Sequence, residues 1–585
     1  MNPLSRRGFI QAGLAVGGGL LLEIIPGVAD AAGSKASFTP GAYLRITADD
    51  VITLILARVE MGQGTSTMHA QLLAEELEVA PSKLTLEFAG ADRRYDNPTL
   101  GLQLTGGSTS TATSWGPYRQ AGATAREMLI GAAAKAWGVA RSECVAKDGA
   151  VVHKATGQRL TYGALAENAA TMPAPSVKPR EKDFSVIGKP TPRVDSLLKV
   201  TGKADFGIDV QVPGAKVAVL IRSPVPGGTL KSFDDTEAKK LAGVSHVVAV
   251  PRGVAVVGDT YVHARRAAQV VKVEWDDGAL AKFDSKALHE EHVKLLRGSG
   301  GKRVKNVGDA VDTLSRAGTV LEAEYSCPFL AHATMEPQNA TAWVRDGKCE
   351  IWAPTQGPML AAEQVARALD IAQSDVTVHQ TWLGGGFGRR IAQDYVIEAA
   401  QVSKAISGPV KVVWSREDDM KHSPYRPAAT HRVRGALDAS GKPLAWHHRV
   451  ASQSIVSQVL PDFAGALLPS GLHFMRRAVA SMGQGALAER DDSSFEGVDT
   501  LPYELPHLAV DFVPVEPGIP VMFWRSVGHS HTAFATESFI DELAHAAKVD
   551  PVEYRRSLLM RQHRHRWVLE LVAEKIGWTT PAPEG

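Results

Sequence analysis

The sequence predicts a mixed fold of the α+β and α/β kinds, built from several domains, and three observations support this. The chain has 585 residues, which suggests about four domains at roughly 150 residues each. Its composition, 44% apolar and 22% charged, is typical of globular proteins with large cores. Short β-rich runs alternate with helical stretches along the chain, and no short repeat is detectable.

The charge balance and the cysteine content exclude two classes of protein. Lys and Arg number 64 against 63 Asp and Glu, and this balance argues against a chain that coats nucleic acid or an anionic membrane. The three cysteines form no Cys-x-x-Cys pair, so the chain alone cannot supply four thiolates to an iron–sulfur cluster. A Cys327–Cys349 disulfide is the less favoured alternative, because a large core does not need one.

The amino terminus has the pattern of an export signal. Arg6 and Arg7 precede a mild apolar stretch, Phe9–Leu22, which glycines dilute and which is too short to span a bilayer. Ala29-Asp30-Ala31 provides a small-x-small cleavage site, so residues 1–31 are predicted to be a twin-arginine signal peptide and the mature protein to be periplasmic. The alternative is an uncleaved membrane anchor.

The rest of the chain divides at two joins. Leu44–Thr47 and Val51–Leu56 predict a strand pair near the start of residues 32–170. The Pro-rich residues 171–193 predict a linker, and residues 194–300, with short β-rich runs around one helical stretch, predict a compact α+β domain. Residues 301–585 follow a Gly-rich join and predict a long mixed α/β region.

Three glycine loops precede predicted helices. Gly384–Arg390 follows a strand and precedes a helix from about Asp394, an arrangement that offers backbone N–H groups to an anion. It matches neither the dinucleotide fingerprint nor the P-loop. Met61–Thr67 and Gly106–Thr111 are the other two loops, and the second is followed by a helix predicted over Tyr118–Trp137. The alternative for the Gly384 loop is a structural turn whose arginines face solvent.

Together with several other segments, these loops resemble the molybdenum hydroxylases of the xanthine and aldehyde oxidase type. In xanthine oxidases the Gly-Gln-Gly and Gly-Ser-Thr loops come late in the chain, whereas here they come first. This permuted order is similar to the large subunit of isoquinoline 1-oxidoreductase and its periplasmic aldehyde-oxidising relatives. The segments that carry the resemblance are Lys199–Ala204, Pro328–His332, Met335–Pro337, Trp352–Gln356, Gly384–Gly388, Glu537–Glu542 and Asp550–Pro551.

The resemblance implies a domain plan and a set of site residues. Residues 32–170 and 301–585 would be molybdopterin-binding parts, and residues 194–300 an α/β hammerhead domain. Gln356 would hydrogen-bond a molybdenum ligand, while no protein side chain would bind the metal directly. The other residues implied to contact the cofactor are Gly62, Gln63, Gly64, Thr65, Gly107, Ser108, Thr109, Gly385, Gly386, Phe387, Gly388 and Arg525.

The resemblance also implies a reaction and partners. The reaction would hydroxylate an N-heterocycle or oxidise an aldehyde, with water as the oxygen source and a molybdenum–molybdopterin cofactor in its cytosine dinucleotide form. Because this chain has no cluster ligands, electrons would pass to a small [2Fe–2S] partner subunit and onward to a c-type cytochrome. No nucleic-acid partner is expected.

The sequence departs from the family at its general base. The family places that base in a Gly-x-Gly-Glu turn near the carboxyl end, and this sequence contains no Gly-x-Gly-Glu. A truncated gene product is the favoured explanation; a segment supplied by another chain, or a diverged periplasmic binding or scaffold protein that does not catalyse, are the alternatives. Neither Glu336 nor Glu537 is expected to replace the base.

Two further groups of residues are predicted to be structural. His332, His529 and His531 lack the spacing of a metal site and are expected on the surface or in the core. Arg561–Arg566 is predicted to be a solvated helix face or a subunit contact.

Overall fold

The computed structural model describes residues 37–38, 42–467 and 490–580, and their fold is mixed α+β. The predicted signal peptide lies outside these residues. The strands are β1 (Ser37–Phe38), β2 (Leu44–Thr47), β3 (Ile52–Leu56), β4 (Leu84–Phe88), β5 (Cys144–Lys147), β6 (Ala150–His153), β7 (Arg159–Thr161), β8 (Lys216–Ile221), β9 (Thr229–Asp234), β10 (Val244–Val250), β11 (Gly253–Gly258), β12 (Lys272–Asp276), β13 (Lys302–Val307), β14 (Val320–Cys327), β15 (Asn339–Arg345), β16 (Lys348–Ala353), β17 (Val376–Gln380), β18 (Val410–Val413), β19 (Ala429–Leu437), β20 (Pro443–Ser452) and β21 (His507–Pro514).

The helices vary from one turn to almost eight. They are α1 (Thr65–Leu77), α2 (Ser110–Trp137), α3 (Tyr162–Ala170), α4 (Ser196–Val200), α5 (Tyr261–Ala268), α6 (Ser285–Arg297), α7 (Ala310–Arg316), α8 (Pro358–Leu369), α9 (Asp394–Ile406), α10 (Arg416–His422), α11 (Ile455–Leu467), α12 (His529–Ala546), α13 (Pro551–Ser557) and α14 (His563–Lys575).

The first part of the chain is a four-stranded sheet covered by α1 and α2. The predicted strand pair is confirmed, because β2 and β3 are antiparallel with Leu44 opposite Leu54. β3 and β4 are parallel, and α1 makes the crossover between them. Leu73 and Leu77 of α1 are fully buried, so this helix closes one face of the sheet.

Helix α2 begins at Ser110, earlier than the predicted start at Tyr118. The predicted start was wrong because the first eight residues carry hydroxyls, Gly116 and Pro117, which favour turns, and because Pro117 removes one helical hydrogen bond. The regular burial that marks the helix starts with Tyr118, whose hydroxyl donates to the carbonyl of Ile55 at 2.9 Å. The helix therefore follows directly on the Gly106–Thr109 loop.

Residues 171–193 contain no helix or strand, yet they are held in place. The buried carboxylate of Glu75 accepts hydrogen bonds from the backbone N–H groups of Ser185, Val186 and Ile187 at 2.6–2.9 Å. The segment is therefore an irregular strap along α1.

A seven-stranded sheet joins the middle and later parts of the chain. Its order is β10-β11-β8-β18-β15-β16-β17, so three strands from residues 194–300 continue into four strands from residues 301–585. Helices α8 and α9 pack on this sheet, and its core includes the fully buried Ile351 and Trp414. The domain boundaries given above stay predictions.

A five-stranded sheet, β13-β21-β20-β19-β14, is packed against α12. Phe539 of α12 contacts Trp446 of β20 edge to face at 4.9 Å between ring centres. Helix α13 begins at Pro551, where the side chain of Asp550 caps it by accepting from the N–H groups of Val552 and Glu553. The predicted exposed face before Trp567 is confirmed at Arg561 and residues 563–565.

Two further findings concern the predictions on cysteines and membranes. Cys144, Cys327 and Cys349 are free thiols. Within residues 42–467 and 490–580, no helix combines the length and the apolar character that crossing a bilayer requires.

Candidate cofactor site

The structure brings Gln356 against the segment that leads into the Gly106 loop. The backbone N–H of Thr105 donates to the carbonyl of Gln356, and the Gln356 side-chain Nε2 donates back to the carbonyl of Thr105, both at 2.9 Å. The Thr105 hydroxyl accepts from the N–H of Val59 at 2.9 Å, which ties in the strand end before Met61. Gln356 is 2% exposed, so these bonds are shielded from water.

The Gly384–Arg390 loop wraps the other side of Gln356. The N–H of Gly388 donates to Gln356 Oε1 at 3.0 Å, and the N–H of Gln356 donates to the carbonyl of Arg390 at 2.9 Å. A Cβ atom on Gly386 would lie 2.5 Å from Sδ of Met61 and 2.6 Å from Gln356 Oε1. Three of the predicted segments therefore meet at Gln356.

Arg389 and Arg390 fix the conformation of this loop from within the core. Both are fully buried, so the alternative in which they face solvent is wrong. Arg390 donates to the carbonyls of Gly385 and Pro354, and Arg389 forms a two-pronged ion pair with Asp394 at 2.8 and 3.0 Å. Burial alone would lower the pKa of Arg389, but the charge of Asp394 raises it above its ordinary value.

Glu336 is a structural carboxylate of the loop. Its two oxygens accept from the N–H groups of Gly384 and Ile208, from Arg390 Nη2 and from Asn339 Nδ2, at 2.8–3.0 Å. Four donors occupy the two oxygens, so Glu336 would have to release at least one of them before it took a proton from a ligand, and it is not arranged as a base.

Glu537 is engaged elsewhere. It accepts from the Tyr503 hydroxyl at 2.9 Å and from Arg555 Nε at 2.9 Å, at the packing of α12 on α13. The expectation that neither Glu336 nor Glu537 replaces the family's base agrees with these contacts.

The loop at Gln356 leaves several donors open. Within the described ranges, the backbone N–H groups of Gly385, Gly386 and Phe387 have no hydrogen-bond partner. At the start of α2, Thr109 provides no side-chain cap, so the first N–H groups of the helix are likewise free of partners in the described structure. Unpaired donors next to a helix N-terminus favour an anionic ligand.

The Met61–Thr67 loop is different, because its donors are already used. The N–H groups of Gly62, Gly64 and Ser66 all donate to the buried carboxylate of Glu60. The Gln63 side chain bonds within its own loop, accepting from the N–H of Met61 and donating to the carbonyl of Val59. Thr65 is buried at the first position of α1.

Gly107 and Ser108 are exposed at the tip of the second loop, and Thr109 supports it. Gly107 and Ser108 have positive φ angles of 62° and 55°. The Thr109 hydroxyl donates to the carbonyl of Gly106 at 2.8 Å and accepts from Asn97 Nδ2 at 2.6 Å. This region shares Thr105 with Gln356 and therefore lies next to the same site.

Arg525 reaches the site through its backbone. Its N–H donates to the carbonyl of Phe387 at 2.8 Å, and its side chain is exposed, with no ion-pair partner within residues 42–467 and 490–580. Phe387, Ser526 and Val527 have φ angles of 56°, 74° and 45°, and a positive φ is a genuine outlier for a β-branched valine. Backbone strain of this kind concentrates at functional sites.

Sequence reasoning missed the residues that support the site. His332, expected to be structural, is buried and its Nε2 lies 2.9 Å from the carbonyl of Phe523, two residues before Arg525. Burial lowers the pKa of His332 to about 4, so the ring is neutral near pH 7. Glu60 and Thr105 were also missed; the signal for Glu60 is a lone carboxylate two residues before a Gly-x-Gly turn that opens a helix.

These residues fit an anionic cofactor rich in hydrogen-bond acceptors. The fit rests on the unpaired N–H groups of Gly385, Gly386 and Phe387, the uncapped start of α2 and the unpaired Arg525 guanidinium. Within residues 42–467 and 490–580, no cluster of three His, Cys, Asp or Glu side chains forms a metal site.

Comparisons with known proteins identify the family. Two models, both described as a molybdopterin cofactor-binding domain, match residues 2–197 and 293–477. Subunit beta of isoquinoline 1-oxidoreductase from Brevundimonas diminuta is 31% identical, over 98% of this chain and 78% of that protein. The membrane-bound, pyrroloquinoline-quinone-designated aldehyde dehydrogenase of Gluconacetobacter polyoxogenes is 30% identical, over 98% of this chain and 76% of that protein.

Among solved structures, quinoline 2-oxidoreductase from Pseudomonas putida 86 is similar over 66% of this chain and 53% of its own, with 18% identity and a TM-score of 0.49. The two domain models and the isoquinoline 1-oxidoreductase subunit, of which 78% aligns with this chain, indicate one and the same family. This chain belongs to the molybdenum hydroxylases, as a molybdopterin-binding subunit of this class of oxidoreductase.

Proposed function

We propose that the site at Gln356 binds a molybdenum–molybdopterin cofactor and that the chain is the large subunit of an exported hydroxylase. The observation that carries this proposal is the position of Gln356, which is hydrogen-bonded to Thr105 on one side and to Gly388 on the other, beside three unpaired backbone N–H groups. The substrate would be an N-heterocycle or an aldehyde, as the names of the related proteins suggest.

In this proposal, the chain's own residues bind and orient the group. The N–H groups of Gly385, Gly386 and Phe387 would donate to it, and Arg525 would balance its negative charge. When bound, the group would supply a two-electron oxidation in which water provides the oxygen. Electrons would leave to a small [2Fe–2S] partner subunit and then to a c-type cytochrome, and the pterin would carry a cytosine nucleotide.

The first test is the cofactor content of the chain purified together with its partner subunit. We expect molybdenum and pterin in stoichiometric amounts, and a loss of roughly tenfold or more in the Gln356→Ala variant, because it removes a residue that positions the loop at the cofactor. The control is Lys216→Ala, which should keep its cofactor. Lys216 is the first residue of β8 in the seven-stranded sheet and forms an exposed ion pair with Asp259. A wild-type preparation without molybdenum or pterin contradicts the proposal.

A periplasmic location is part of the proposal, and it is supported by Arg6 and Arg7 before the apolar stretch. Replacing both by lysine should leave the chain in the cytoplasm, as measured by cell fractionation. Export that is unchanged in this variant contradicts the twin-arginine route.

A cofactor-free binding or scaffold protein is the second candidate function. It is favoured by the absence of Gly-x-Gly-Glu from this sequence and by the full engagement of Glu336. It predicts that Gln356→Ala leaves partner binding unchanged. The DNA after the final codon provides a further test, because an in-frame Gly-x-Gly-Glu there favours the enzyme.

A further inference from the structure

Glu60 is a fully buried carboxylate that accepts five hydrogen bonds at the N-terminus of α1. Its Oε1 accepts from the N–H groups of Gly62 and Gly64, at 2.8 and 3.1 Å, and from Arg193 Nη2 at 3.0 Å. Its Oε2 accepts from the N–H and the hydroxyl of Ser66, both at 2.9 Å. The carboxylate therefore uses most donors of the turn.

These donors are of the kind that bind a free anion in other proteins. Successive backbone N–H groups in a glycine turn before a helix form a concave site for phosphate or carboxylate. Gly62 and Gly64 have φ angles of 108° and 92°, and α1 has neither a side-chain cap at Gly64 nor an acidic residue in its first turn. Glu60 therefore takes the place that a bound anion would occupy.

Arg193 holds both the carboxylate and the turn. It donates through Nη1 to the carbonyl of Gly62 at 2.9 Å and through Nη2 to Glu60, while Asp195 binds the same guanidinium at 2.8 Å. Burial alone would raise the pKa of Asp195, but hydrogen bonds from Arg193 and Lys199 lower it to about 2. Arg193, the last residue of the strap of residues 171–193, thus fixes a turn more than 120 positions earlier in the chain.

The turn held in this way borders the candidate site. Met61, between Glu60 and Gly62, places its Sδ against Gly386, where a Cβ atom would come within 2.5 Å of it. A shift of the turn would therefore move Met61 relative to Gly386 and Gln356.

We propose that Glu60 is a positioning residue, a built-in anion that holds the Gly62–Ser66 turn in place beside Gly386 before any cofactor binds. The consequence for the cofactor rests on the proposed function: its anionic groups do not bind at the N-terminus of α1, because that position is filled.

The chain offers a matched control for testing this role. Glu75, on the same helix, is also fully buried and also accepts from several donors, but it holds residues 185–187 and not the turn. Both Glu60→Ala and Glu75→Ala should lower the melting temperature by at least about 4 °C, since each leaves buried donors unpaired. Only Glu60→Ala should speed amide hydrogen exchange at residues 61–66 and lower the molybdenum content.

Acetate provides the decisive measurement, because it can enter the space left by the Glu60 side chain. At about 100 mM, acetate should raise the melting temperature of Glu60→Ala and slow exchange at residues 61–66, whereas chloride at the same ionic strength and acetate with Glu75→Ala should not. Unchanged exchange at the turn in Glu60→Ala, or no effect of acetate, overturns the proposal.

Two measurements, one on the wild type and one on Ser66→Ala, decide the case where Glu60→Ala does not fold. Inorganic pyrophosphate should leave exchange at residues 61–66 unchanged in the wild type, and Ser66→Ala, which removes one donor to Glu60, should speed it. Protection of residues 61–66 by pyrophosphate contradicts the proposal. Absence of molybdenum from the wild type would count against the proposed function alone, and the acetate result would stand.

Discussion

Gly388 occupies a position that no other residue fits. Its φ angle is +101°, and an added Cβ atom would overlap the carbonyl oxygen of Phe523. That oxygen is backbone and is also bound by His332, so it cannot move aside cheaply. The glycine therefore permits the close approach between the Gly384–Arg390 loop and the Phe523–Arg525 segment.

Gly388→Ala should destabilise the protein by at least about 2 kcal/mol, from the strained φ and the overlap together. Denaturant unfolding measures this, and the cofactor content should fall as well. The control is Gly300→Ala, where a Cβ meets nothing within 4 Å, and we expect a change within about 0.5 kcal/mol. Equal stabilities of the two variants would show that the loop tolerates a side chain.

At the scale of elements, a chain of three buried histidines joins the five-stranded sheet to α12. Nδ1 of His431 lies 2.9 Å from Nε2 of His448, and Nε2 of His431 lies 3.1 Å from Nδ1 of His531. Burial lowers the pKa of all three, to about 3 for His431 and well below the ordinary value for the others, with Arg426 adding to the effect at His431. The histidines are therefore neutral in the folded protein.

This arrangement predicts that stability falls as the pH falls below about 6.5. The unfolded histidines bind protons near that pH, whereas folded His431 does not until about 3 and burial likewise holds the pKa of His448 and of His531 well below its ordinary value. The unfolded state therefore takes up more protons as the pH falls below about 6.5. Each of the three histidines should lower the free energy of unfolding by roughly 1.4 kcal/mol for every pH unit of acidification in that window.

Urea unfolding between about pH 7.5 and 5.5 measures the slope. His448→Gln should reduce the slope by the contribution of one proton. His246→Gln, at an exposed position, should leave the slope unchanged. A slope that is equal in His448→Gln and in the wild type contradicts the assignment of neutral histidines in the core.

At the scale of the whole molecule, a buried ion pair links the two halves of the seven-stranded sheet. Arg222, directly after β8, donates to Glu398 of α9 at 3.0 and 2.6 Å, and Trp414 Nε1 donates to the same carboxylate at 2.8 Å. Arg222 lies in residues 194–300 and Glu398 in residues 301–585. The pair therefore spans the predicted domain boundary.

Glu398→Ala should lower the free energy of unfolding by about 3–5 kcal/mol, because it leaves the buried Arg222 guanidinium without its nearest carboxylate. Denaturant unfolding checks this value. Asp259→Ala, which breaks the exposed pair with Lys216, is the control and should leave the unfolding midpoint almost unchanged. A similar midpoint in the two variants would show that the sheet does not depend on this pair.

Local patterns predicted much of the fold, and long-range contacts explain what they missed. The short runs Leu44–Thr47 and Val51–Leu56 predicted the strand pair of β2 and β3, because this signal lies within a few residues. The start of α2 was wrong because its first turns lack apolar periodicity. The bond from Gln356 to Thr105 crosses 251 positions and the ion pair of Arg390 with Glu336 crosses 54, so no local pattern contains them.

The two-way pairing of Thr105 with Gln356 has a consequence for biosynthesis. In the proposed site, contacts come from both the amino-terminal third and the remainder of the chain, so the cofactor has no complete binding site until residues 105 and 356 have both been synthesised. Closure of such a distant contact is a late event in folding. Insertion of the cofactor should therefore follow synthesis of both segments, and any export of the loaded protein should come later still.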